Sequence, residues 1–457
     1  MNAFKYTNAL AVLILLAACG GDPSTSEVSS SAGGNSSSGG SSSSSTCNSA
    51  SFIGTKQMGA PGKVAKGESV AIDASCNIYV AGSTTGGLDN NMVAGTWDFF
   101  LTKYDSSGVK QYTQQLGAAG KQTYGRSVKT DASGNVYVTG YTNTGLDGST
   151  LIGTQDMFLI KYNSAGVKQY IEHLGAATKA TAGHSVAIDA NGNVYVTGYT
   201  TGGLDGNTVT GTADVFLTKY NSSGVRQYTR QLGVASQNTY GNGVATDASG
   251  NVYVTGYTLG GLDGNALTGT RDAFLAKYDN NGVKQYTKQF GLDRSLTYAT
   301  SVATDATGNA YITGVTWGGL DGNPNPGSRN FFLTKYDSSG AKQYTKQMNQ
   351  IISEGLSVAT DASGNVYVAG YTDAGLDGNT LTGSEDLFLI KYNSAGVNQY
   401  TRLLGVASKF TGAYAVATDA SGSVFLAGQT RGGLDGNNLT GTVDFFVTRY
   451  SGSGVKQ

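Results

Sequence analysis

Two kinds of aspartate recur at fixed spacing along this chain and are its most visible candidates for chemistry. One lies in a Gly-Leu-Asp-Gly-Asn motif and its variants, at Asp89, Asp147, Asp205, Asp263, Asp321, Asp377 and Asp435. The other comes nine residues later, at Asp98, Asp156, Asp214, Asp272, Asp386 and Asp444, with Asn330 in one copy. Carboxylate and amide oxygens of this kind could bind calcium. Calcium loops concentrate their acids at alternate positions, however, so we expect these aspartates to form turns and to accept backbone N–H bonds. We predict no cofactor, with calcium as the alternative.

The remaining side chains offer little for catalysis. The chain has two histidines, His173 and His184, whereas a zinc site needs three or four His, Cys or acidic ligands. We therefore predict no metal site. There is no nucleophile-elbow motif and no phosphate-binding loop. His184 takes the place of Arg126 and Asn242 in other copies, and we expect it to be an ordinary residue of a connecting loop. We predict no catalytic residues and no enzyme.

The aspartates belong to a repeat that occupies most of the chain. A further Asp closes the first segment of each copy, at Asp73, Asp131, Asp189, Asp247, Asp305, Asp361 and Asp419. The spacing is 58 residues at every step except Asp305 to Asp361, where it is 56. A constant period of this length is typical of repeat architectures.

Each copy contains four short segments with strand character. In the third copy they cover residues 185–189, 193–200, 214–220 and 225–232, which are rich in Val, Tyr, Thr and Phe. Tight Gly-containing turns join the first segment to the second and the third to the fourth. One copy therefore predicts a four-stranded antiparallel meander. Since such a sheet cannot bury its faces alone, seven copies predict an all-β, seven-bladed β-propeller.

The repeat count also predicts how the ring closes. Residues 54–457 number 404, which accommodates six repeats of 58 residues and one of 56 with no remainder. The break falls inside a fourth strand, because residues 455–457 resemble its beginning and residues 55–59 its second half. We therefore expect the N-terminal strand to complete the last blade, which removes an open sheet edge.

The repeated phrases D-x-S-G-N-x-Y-V-x-G and D-x-F-L-x-K-Y-x-S-x-G resemble the bacterial SBBP repeat. They recur in all seven copies, and the resemblance covers about nine-tenths of the chain. It implies a seven-bladed propeller in a secreted or surface setting. It implies no particular reaction, because propellers carry many functions.

The N-terminus has the pattern of a targeting segment. Lys5 precedes an apolar run over residues 9–18, and Leu16-Ala17-Ala18-Cys19 resembles the bacterial lipoprotein cleavage box. That resemblance implies a lipid on Cys19 and an outer-membrane or cell-surface location; the alternative is an ordinary secretory signal. We therefore divide the chain into a signal segment (1–19), a Ser/Gly-rich tether (20–50) and the propeller (51–457).

The net charge of the chain limits the classes of molecule that it could bind. The formal net charge is −1 and only 13% of residues are charged, which argues against nucleic-acid binding. We expect a monomer that reaches the membrane through its lipid.

Besides Cys19 the chain has two cysteines, Cys47 and Cys76, and Cys76 replaces a turn glycine of other copies. We predict a disulfide between them, with two unpaired thiols as the alternative.

Comparison of the copies suggests where a ligand binds. The tight turns share one face of the propeller and the long connections the other, and the long connections contain the positions that vary most. The candidate ligand-binding residues at these positions are Trp97, Arg271, Trp317, Arg329 and Arg431. We therefore predict an envelope-anchored module that binds a protein or another extracellular ligand. Unconstrained drift of the loops is the alternative explanation of the variation. Among functions, the first alternative is a lectin-like protein in which Trp97 or Trp317 stacks on sugar, and a lyase or hydrolase that uses loop acids is less favoured.

Overall fold

The computed structural model describes Ser49 and residues 51–324, 327–348 and 352–457. The predicted signal segment, Cys19, Cys47 and nearly all of the predicted tether lie outside these residues. The described chain forms seven four-stranded antiparallel sheets, which confirms the predicted seven-bladed β-propeller. Its only helical elements are three single 3-10 turns, at Leu262–Gly264, Leu320–Gly322 and Leu434–Gly436. None of the described helical turns is long and apolar enough to cross a membrane.

The described part of the chain contains 28 strands, numbered in chain order. Blades one to three consist of β2 (Ala65–Ile72), β3 (Ile78–Thr84), β4 (Asp98–Tyr104), β5 (Lys110–Leu116), β6 (Thr123–Thr130), β7 (Val136–Thr142), β8 (Asp156–Tyr162), β9 (Lys168–Leu174), β10 (Thr181–Ile188), β11 (Val194–Thr200), β12 (Asp214–Tyr220) and β13 (Arg226–Leu232). Blades four to six consist of β14 (Thr239–Thr246), β15 (Val252–Thr258), β16 (Asp272–Tyr278), β17 (Lys284–Phe290), β18 (Thr297–Thr304), β19 (Ala310–Thr316), β20 (Asn330–Tyr336), β21 (Lys342–Gln347), β22 (Ser353–Thr360), β23 (Val366–Thr372), β24 (Asp386–Tyr392) and β25 (Asn398–Leu404). Blade seven consists of β26 (Thr411–Thr418), β27 (Val424–Thr430), β28 (Asp444–Tyr450) and β1 (Lys56–Met58).

The apolar core lies between the blades. Seven clusters of buried residues each join the facing sides of two adjacent sheets. Between blades one and two, for example, Phe99 and Leu101 of β4 pack with Val138 of β7 and Phe158 of β8. Because the strands are buried on both faces in this way, each sheet depends on its two neighbours for stability.

Hydroxyl groups form hydrogen bonds between the innermost strands of neighbouring blades. These strands surround the central channel of the ring. Serine hydroxyls accept N–H bonds from the next blade, in the pairs Ser69–Val128, Ser127–Val186, Ser185–Val244, Ser301–Val358 and Ser357–Val416. Nearer the tight turns, threonine hydroxyls donate to carbonyls of the preceding blade, in the pairs Thr130–Ile72, Thr246–Ile188, Thr304–Thr246, Thr360–Thr304 and Thr418–Thr360. We call these two layers the serine ring and the threonine ring.

The two ends of the chain share the outer strand of blade seven, as predicted. Strand β1 pairs with β28 in antiparallel register, with Lys56 opposite Val447. At the other end of the chain, Lys456 bridges to Tyr450 of the same strand. The amide of Gly54 donates to the carbonyl of Gln457 at 2.9 Å. The outer edge of the last blade is therefore covered by both termini of the propeller.

Side chains just ahead of β1 replace contacts that blade seven lacks. In other blades a fourth-strand tyrosine, such as Tyr112, lies against a turn glycine of the next blade, Gly166 in that case. Blade seven has Gly54 at the tyrosine position, and the ring of Phe52 lies against Gly108 instead. Phe52 is fully buried and packs edge-on against Phe425 at 5.4 Å. The closure therefore involves side chains as well as strand pairing.

Candidate functional site

Each innermost strand contains a β-bulge at the same repeat position. In β6, for instance, the pairing register shifts between Gly125 and Ser127, so that Arg126 has no partner residue opposite it. The seven bulge residues are Glu68, Arg126, His184, Asn242, Thr300, Leu356 and Tyr414. An unpaired bulge residue can be redirected out of the plane of its sheet.

The seven bulge residues surround a cavity of about 580 Å³ on the channel axis. Tyr257, Arg271 and Tyr298, which lie at the long-connection face, also line it. We call this cavity the mouth of the channel. Cavities of roughly 300–1,000 Å³ are typical of small-ligand sites. The bulge residues are of seven different types, whereas the serine that follows them recurs in five of the seven blades. The mouth is thus asymmetric although the scaffold repeats.

The expectation that His184 belongs to a connecting loop was wrong, because it is the bulge residue of β10. Its Nδ1 lies 2.9 Å from the carbonyl oxygen of Gly241 in the next blade, so Nδ1 carries the proton. Desolvation and the nearby Arg126 guanidinium lower the pKa of His184 to about 4, although the bond to Gly241 acts in the opposite direction. The ring is therefore neutral at neutral pH.

Asn242 and Thr300 make the same inter-blade contact as His184. The amide of Asn242 donates to the carbonyl of Ala299 at 2.8 Å, and the hydroxyl of Thr300 donates to that of Gly355 at 2.7 Å. Three neighbouring bulge side chains are therefore held in place by the following blade. Such bonds restrict the rotamers of the groups that line the mouth.

Arg126 and Glu68 bring opposite charges to the same side of the mouth. Nη1 of Arg126 lies 3.5 Å from Oε2 of Glu68, and Nη2 donates to the hydroxyl of Tyr141 at 3.0 Å. The guanidinium also lies over the rings of Tyr124 and Tyr141, at 5.7 and 5.3 Å from their centres. Glu68 is the only carboxylate among the described residues that line the cavity.

Two of the predicted ligand-binding residues, Arg271 and Trp317, lie beside the same tyrosine, and Arg271 lines the mouth. The guanidinium of Arg271 lies 4.4 Å from the ring centre of Tyr257 and 5.9 Å from that of Tyr298. Trp317, whose exposed fraction is 38%, lies 6.0 Å from Tyr298 on the other side. Arg271 has no ion-pair partner among the described residues. Arg271 and Trp317 are thus joined through one tyrosine.

The other three predicted residues lie around the same face but make separate contacts. Trp97 packs on Tyr124 at 5.3 Å, beside blade one. Arg329 forms a 2.9 Å ion pair with the buried Glu354. Arg431 is exposed and lies 5.9 Å from the ring of Phe410. These residues remain candidates, but none of the three lines the mouth.

The repeated aspartates have the structural roles predicted for them. The Asp of the Gly-Leu-Asp-Gly motif has a positive φ in every copy, and in six copies it pairs with a Lys or Arg of the same blade, as Asp205 does with Arg226 at 2.6 Å. The second Asp accepts backbone N–H bonds, as Asp98 does from Ala94 and Gly95. Across the described residues no group of three or more His, Cys, Asp or Glu side chains is arranged to hold a metal ion.

Comparison with known families agrees with this geometry. A family model described as a β-propeller repeat, SBBP, matches six segments, at residues 53–89, 111–147, 169–205, 227–263, 285–321 and 343–377. The chain is an SBBP-repeat protein. Each matched segment runs from the fourth strand of one blade through the first two strands of the next, and the first segment includes β1 of blade seven.

Two curated relatives are similar to the SBBP-repeat protein over much of its length. The regulatory protein FlaEY of Caulobacter vibrioides is 26% identical over 418 residues, which cover 78% of this chain and 43% of the relative. An uncharacterized WD repeat-containing protein of Acanthamoeba polyphaga mimivirus is 24% identical and covers 66% of this chain and 29% of the relative. The chain therefore spans less than half the length of these relatives.

Solved structures similar to the SBBP-repeat protein have low sequence identity to it. An ulvan lyase of a polysaccharide lyase family, bound to a glucuronate- and sulfated-rhamnose-containing ligand, is 14% identical, with a TM-score of 0.48 over 88% of this chain and 97% of that chain. A chain of the mitotic checkpoint complex is 14% identical, with a TM-score of 0.46 over 82% of this chain and 90% of that chain.

His173 and the repeated lysines of the SBBP-repeat protein are structural. His173 occupies the position of Gln115 in blade one, and its Nε2 lies 2.8 Å from the hydroxyl of Ser149. Lys103 donates to the carbonyl of Ser164 in the next blade and lies over the ring of Tyr79. The lysine of the repeated D-x-F-L-x-K-Y phrase therefore contributes to the contact between adjacent blades.

Most of the mouth of the SBBP-repeat protein could not be anticipated from the sequence. None of the seven bulge residues was proposed as a site residue, because their strands had been taken to begin after the bulge. A usable signal was present, since one position per repeat changes its residue type in every copy, between a Gly or Ala and a small residue that precedes Val. The pattern does not show, however, that the side chain at this position faces the channel axis.

Proposed function

We propose that this SBBP-repeat protein is a binding module whose ligand enters the mouth of the channel on the long-connection face. The observation that carries the proposal is the contrast at the bulge positions. Seven positions that are equivalent in the fold bear a carboxylate, a guanidinium, an imidazole, an amide, a hydroxyl, an aliphatic chain and a phenol around one cavity. A purely structural ring would be expected to repeat its residue type, as the serine and threonine rings largely do.

Binding is favoured over catalysis by the chemistry of the lining. General acid–base catalysis commonly uses two ionisable groups with separated pKa values. The single carboxylate of the described lining, Glu68, faces the guanidinium of Arg126. His184 is engaged with a backbone carbonyl. The proposed role is therefore recognition, with a protein or another extracellular molecule as the ligand.

A row of aromatic rings favours a glycan as the second candidate ligand. Tyr199, Tyr240, Tyr257, Tyr298 and Trp317 follow one another around blades three to five, with ring centres 4.8 to 6.2 Å apart. The four tyrosines are half-buried and Trp317 is exposed. Sugars pack well on such aromatic faces because their C–H bonds form an apolar surface.

Arrays printed with glycans and peptides would test the proposal. Thr300→Tyr would fill the mouth with a residue that blade seven already accepts at Tyr414, without a change of charge. We expect ligands of the wild-type protein to be lost in this variant and retained in Val109→Ala, a control at an exposed position of the tight-turn face. Ligands that bind all three proteins equally would refute a site at the mouth.

A third variant separates the two ligand classes. Trp317→Ala removes the exposed end of the aromatic row while the bulge residues stay in place. Glycan signals that fall with Trp317→Ala would support the lectin-like function. Peptide signals that depend on Thr300 but not on Trp317 would support protein recognition instead.

We also propose that a lipid on Cys19 anchors the protein in the outer membrane or at the cell surface. The proposal rests on the resemblance of residues 16–19 to a lipoprotein cleavage box. Fractionation of cells that express wild-type protein or Cys19→Ser would test it. The wild-type protein should carry lipid and sediment with membranes, and the variant should not; an acylated Cys19→Ser protein would contradict the assignment.

A further inference from the structure

One lysine interrupts a layer of alanines inside the channel. The second-last residue of the innermost strand is alanine in six blades, at Ala71, Ala187, Ala245, Ala303, Ala359 and Ala417. In blade two the same position is Lys129. Lys129 lines the mouth cavity and also a deeper cavity of about 340 Å³ toward the tight turns. Its side chain therefore lies where the two cavities meet.

The ammonium group of Lys129 has no counter-charge among the described residues. Within the described residues it donates no hydrogen bond and forms no ion pair. None of the described residues that line the deeper cavity is acidic, and the one carboxylate of the mouth, Glu68, already faces Arg126. Although Lys129 is accessible from the channel, desolvation by the surrounding protein lowers the pKa of its ammonium. None of the described groups offsets this desolvation by pairing with the cation.

The serine ring supplies hydrogen-bond donors at the adjacent level. Ser127, Ser185 and their equivalents each accept an N–H bond from the next blade, and all five line the mouth cavity. A hydroxyl that accepts one bond still has its proton to donate. Lys129 follows Ser127 by two residues, about 7 Å along the strand, which the lysine side chain can span. The threonine ring is different, because its hydroxyl protons are already bonded to carbonyls.

We propose that the channel binds an oxyanion carried by the ligand, held between Lys129 and the hydroxyl groups of the serine ring. Serine O–H groups and an ammonium are donors that suit carboxylate, sulfate and phosphate oxygens alike. Lys129, Arg126 and Arg271 outnumber Glu68 around the mouth, so the entrance also attracts anions. The inference rests on the proposed function only in that the ligand enters from the mouth.

Titration with simple anions tests the oxyanion site. Acetate, inorganic sulfate and inorganic phosphate would be titrated separately at constant ionic strength, with sodium chloride as the balancing salt, and followed by calorimetry and by melting temperature. We expect at least one of the three to bind the wild-type protein, and the ranking distinguishes a carboxylate ligand from a sulfated or phosphorylated one. Chloride alone should produce no saturable binding heat and no saturable rise in melting temperature.

The repeat supplies the matching variants. Lys129→Ala installs the residue of the other six blades, so it should fold, and without added oxyanion it should melt no lower than the wild-type protein. Its affinity for the anion should be at least about tenfold weaker. Lys121→Ala, at an exposed lysine of the same blade, should bind like the wild type. In Lys129→Ala/Ala303→Lys the cation moves to blade five, and binding should return if the anion lies on the axis.

The outcomes separate this inference from the proposed function. Equal anion affinity in wild-type protein and Lys129→Ala would overturn it, and so would the absence of saturable binding by all three anions. Neither result would affect array ligands that depend on Thr300 at the mouth. Conversely, Lys129-dependent anion binding would stand even if the arrays revealed no ligand.

Discussion

The hydroxyl of Ser49 donates a 2.5 Å hydrogen bond to Oδ2 of Asp419, which lies 370 residues later in the chain. In blade two the equivalent oxygen, Oδ2 of Asp131, accepts from the hydroxyl of Tyr137 and the amide of Asn135. Blade seven has Phe and Ser at these two positions, so neither of these donors is present. In blade seven, a residue from the other end of the chain therefore donates to this carboxylate oxygen. In each of the other blades the donors come from the blade itself.

The first prediction concerns the closure of the ring. Phe52→Ala should lower the free energy of unfolding by about 3–5 kcal/mol, because it empties a fully buried aromatic site between blades seven and one. Deletion of residues 51–58 should have a larger effect, since β1 is lost as well. Denaturant-induced unfolding measures both changes.

The neighbouring Ile53 is the matched control for closure. Its side chain is 69% exposed, so Ile53→Ala should change the free energy of unfolding by no more than about 0.5 kcal/mol. If Phe52→Ala unfolded at the same denaturant concentration as Ile53→Ala, the segment ahead of β1 would not contribute to closure.

The second prediction is the disulfide between Cys47 and Cys76. Cys47 lies outside the described residues, so the pairing stays a prediction. The sulfur of Cys76 is 3.9 Å from the same Asp419 oxygen that Ser49 contacts, and Ser49 follows Cys47 by two residues. Mass spectrometry of unreduced peptides should detect the linked pair. Two cysteines that both react with an alkylating reagent would refute it.

The backbone at Cys76 provides a further test of this bond. Its φ is 61°, and the equivalent Gly134 has a φ of 76°, a region in which glycine is unstrained. Under oxidising conditions Cys76→Gly should reduce stability by about 2–4 kcal/mol through loss of the cross-link. With reductant present that difference should vanish or change sign. A deficit that is the same with and without reductant would argue against the bond.

The third prediction is a pH effect from His184. Because its folded-state pKa, about 4, lies below the usual 6.5, the unfolded chain binds more protons between these values. The contribution of His184 to stability is therefore complete above pH 6.5 and declines as the pH falls toward 4. His184→Asn, with the amide that blade four has at Asn242, should remove this part of the pH dependence.

The pKa of His184 can also be measured directly. The variant His173→Gln, which installs the residue found at Gln115, leaves His184 as the sole remaining histidine. Its ring resonances in NMR should stay unchanged from pH 7 to pH 5 and titrate near pH 4. A midpoint near 6.5 would show that the ring is not desolvated.

The fourth prediction is that calcium leaves the stability unchanged. In six of the seven copies a cation of the protein occupies the position that a calcium ion would need beside the loop aspartate, as Lys342 does with its Nζ 2.6 Å from Asp321. Melting temperatures in millimolar calcium and in chelator should therefore be indistinguishable. A rise of several degrees with calcium would mean that the ion displaces these lysines.

The architecture could be predicted because its determinants are local and repeated. Turn glycines such as Gly134 and Gly192 adopt positive φ values that other residues rarely take, and they recur with the period of the repeat. Because the repeats fit residues 54–457 with no remainder, the sequence also indicated seven blades and an outer strand formed by both ends of the propeller. The exposed rim positions, including Trp317, could be located for the same reason, since loop and strand alternate in every copy.

The mouth of the channel was decided by the tertiary structure. A bulge breaks the two-residue alternation of a strand, so the stretch from Thr181 to His184 resembled a loop. In the sequence, Lys129 and the alanines equivalent to it are separated by whole repeats, and nothing in the pattern of one repeat shows which of its residues faces the axis. These positions become neighbours only when seven sheets close into a ring, because closure brings the innermost strands together around one axis.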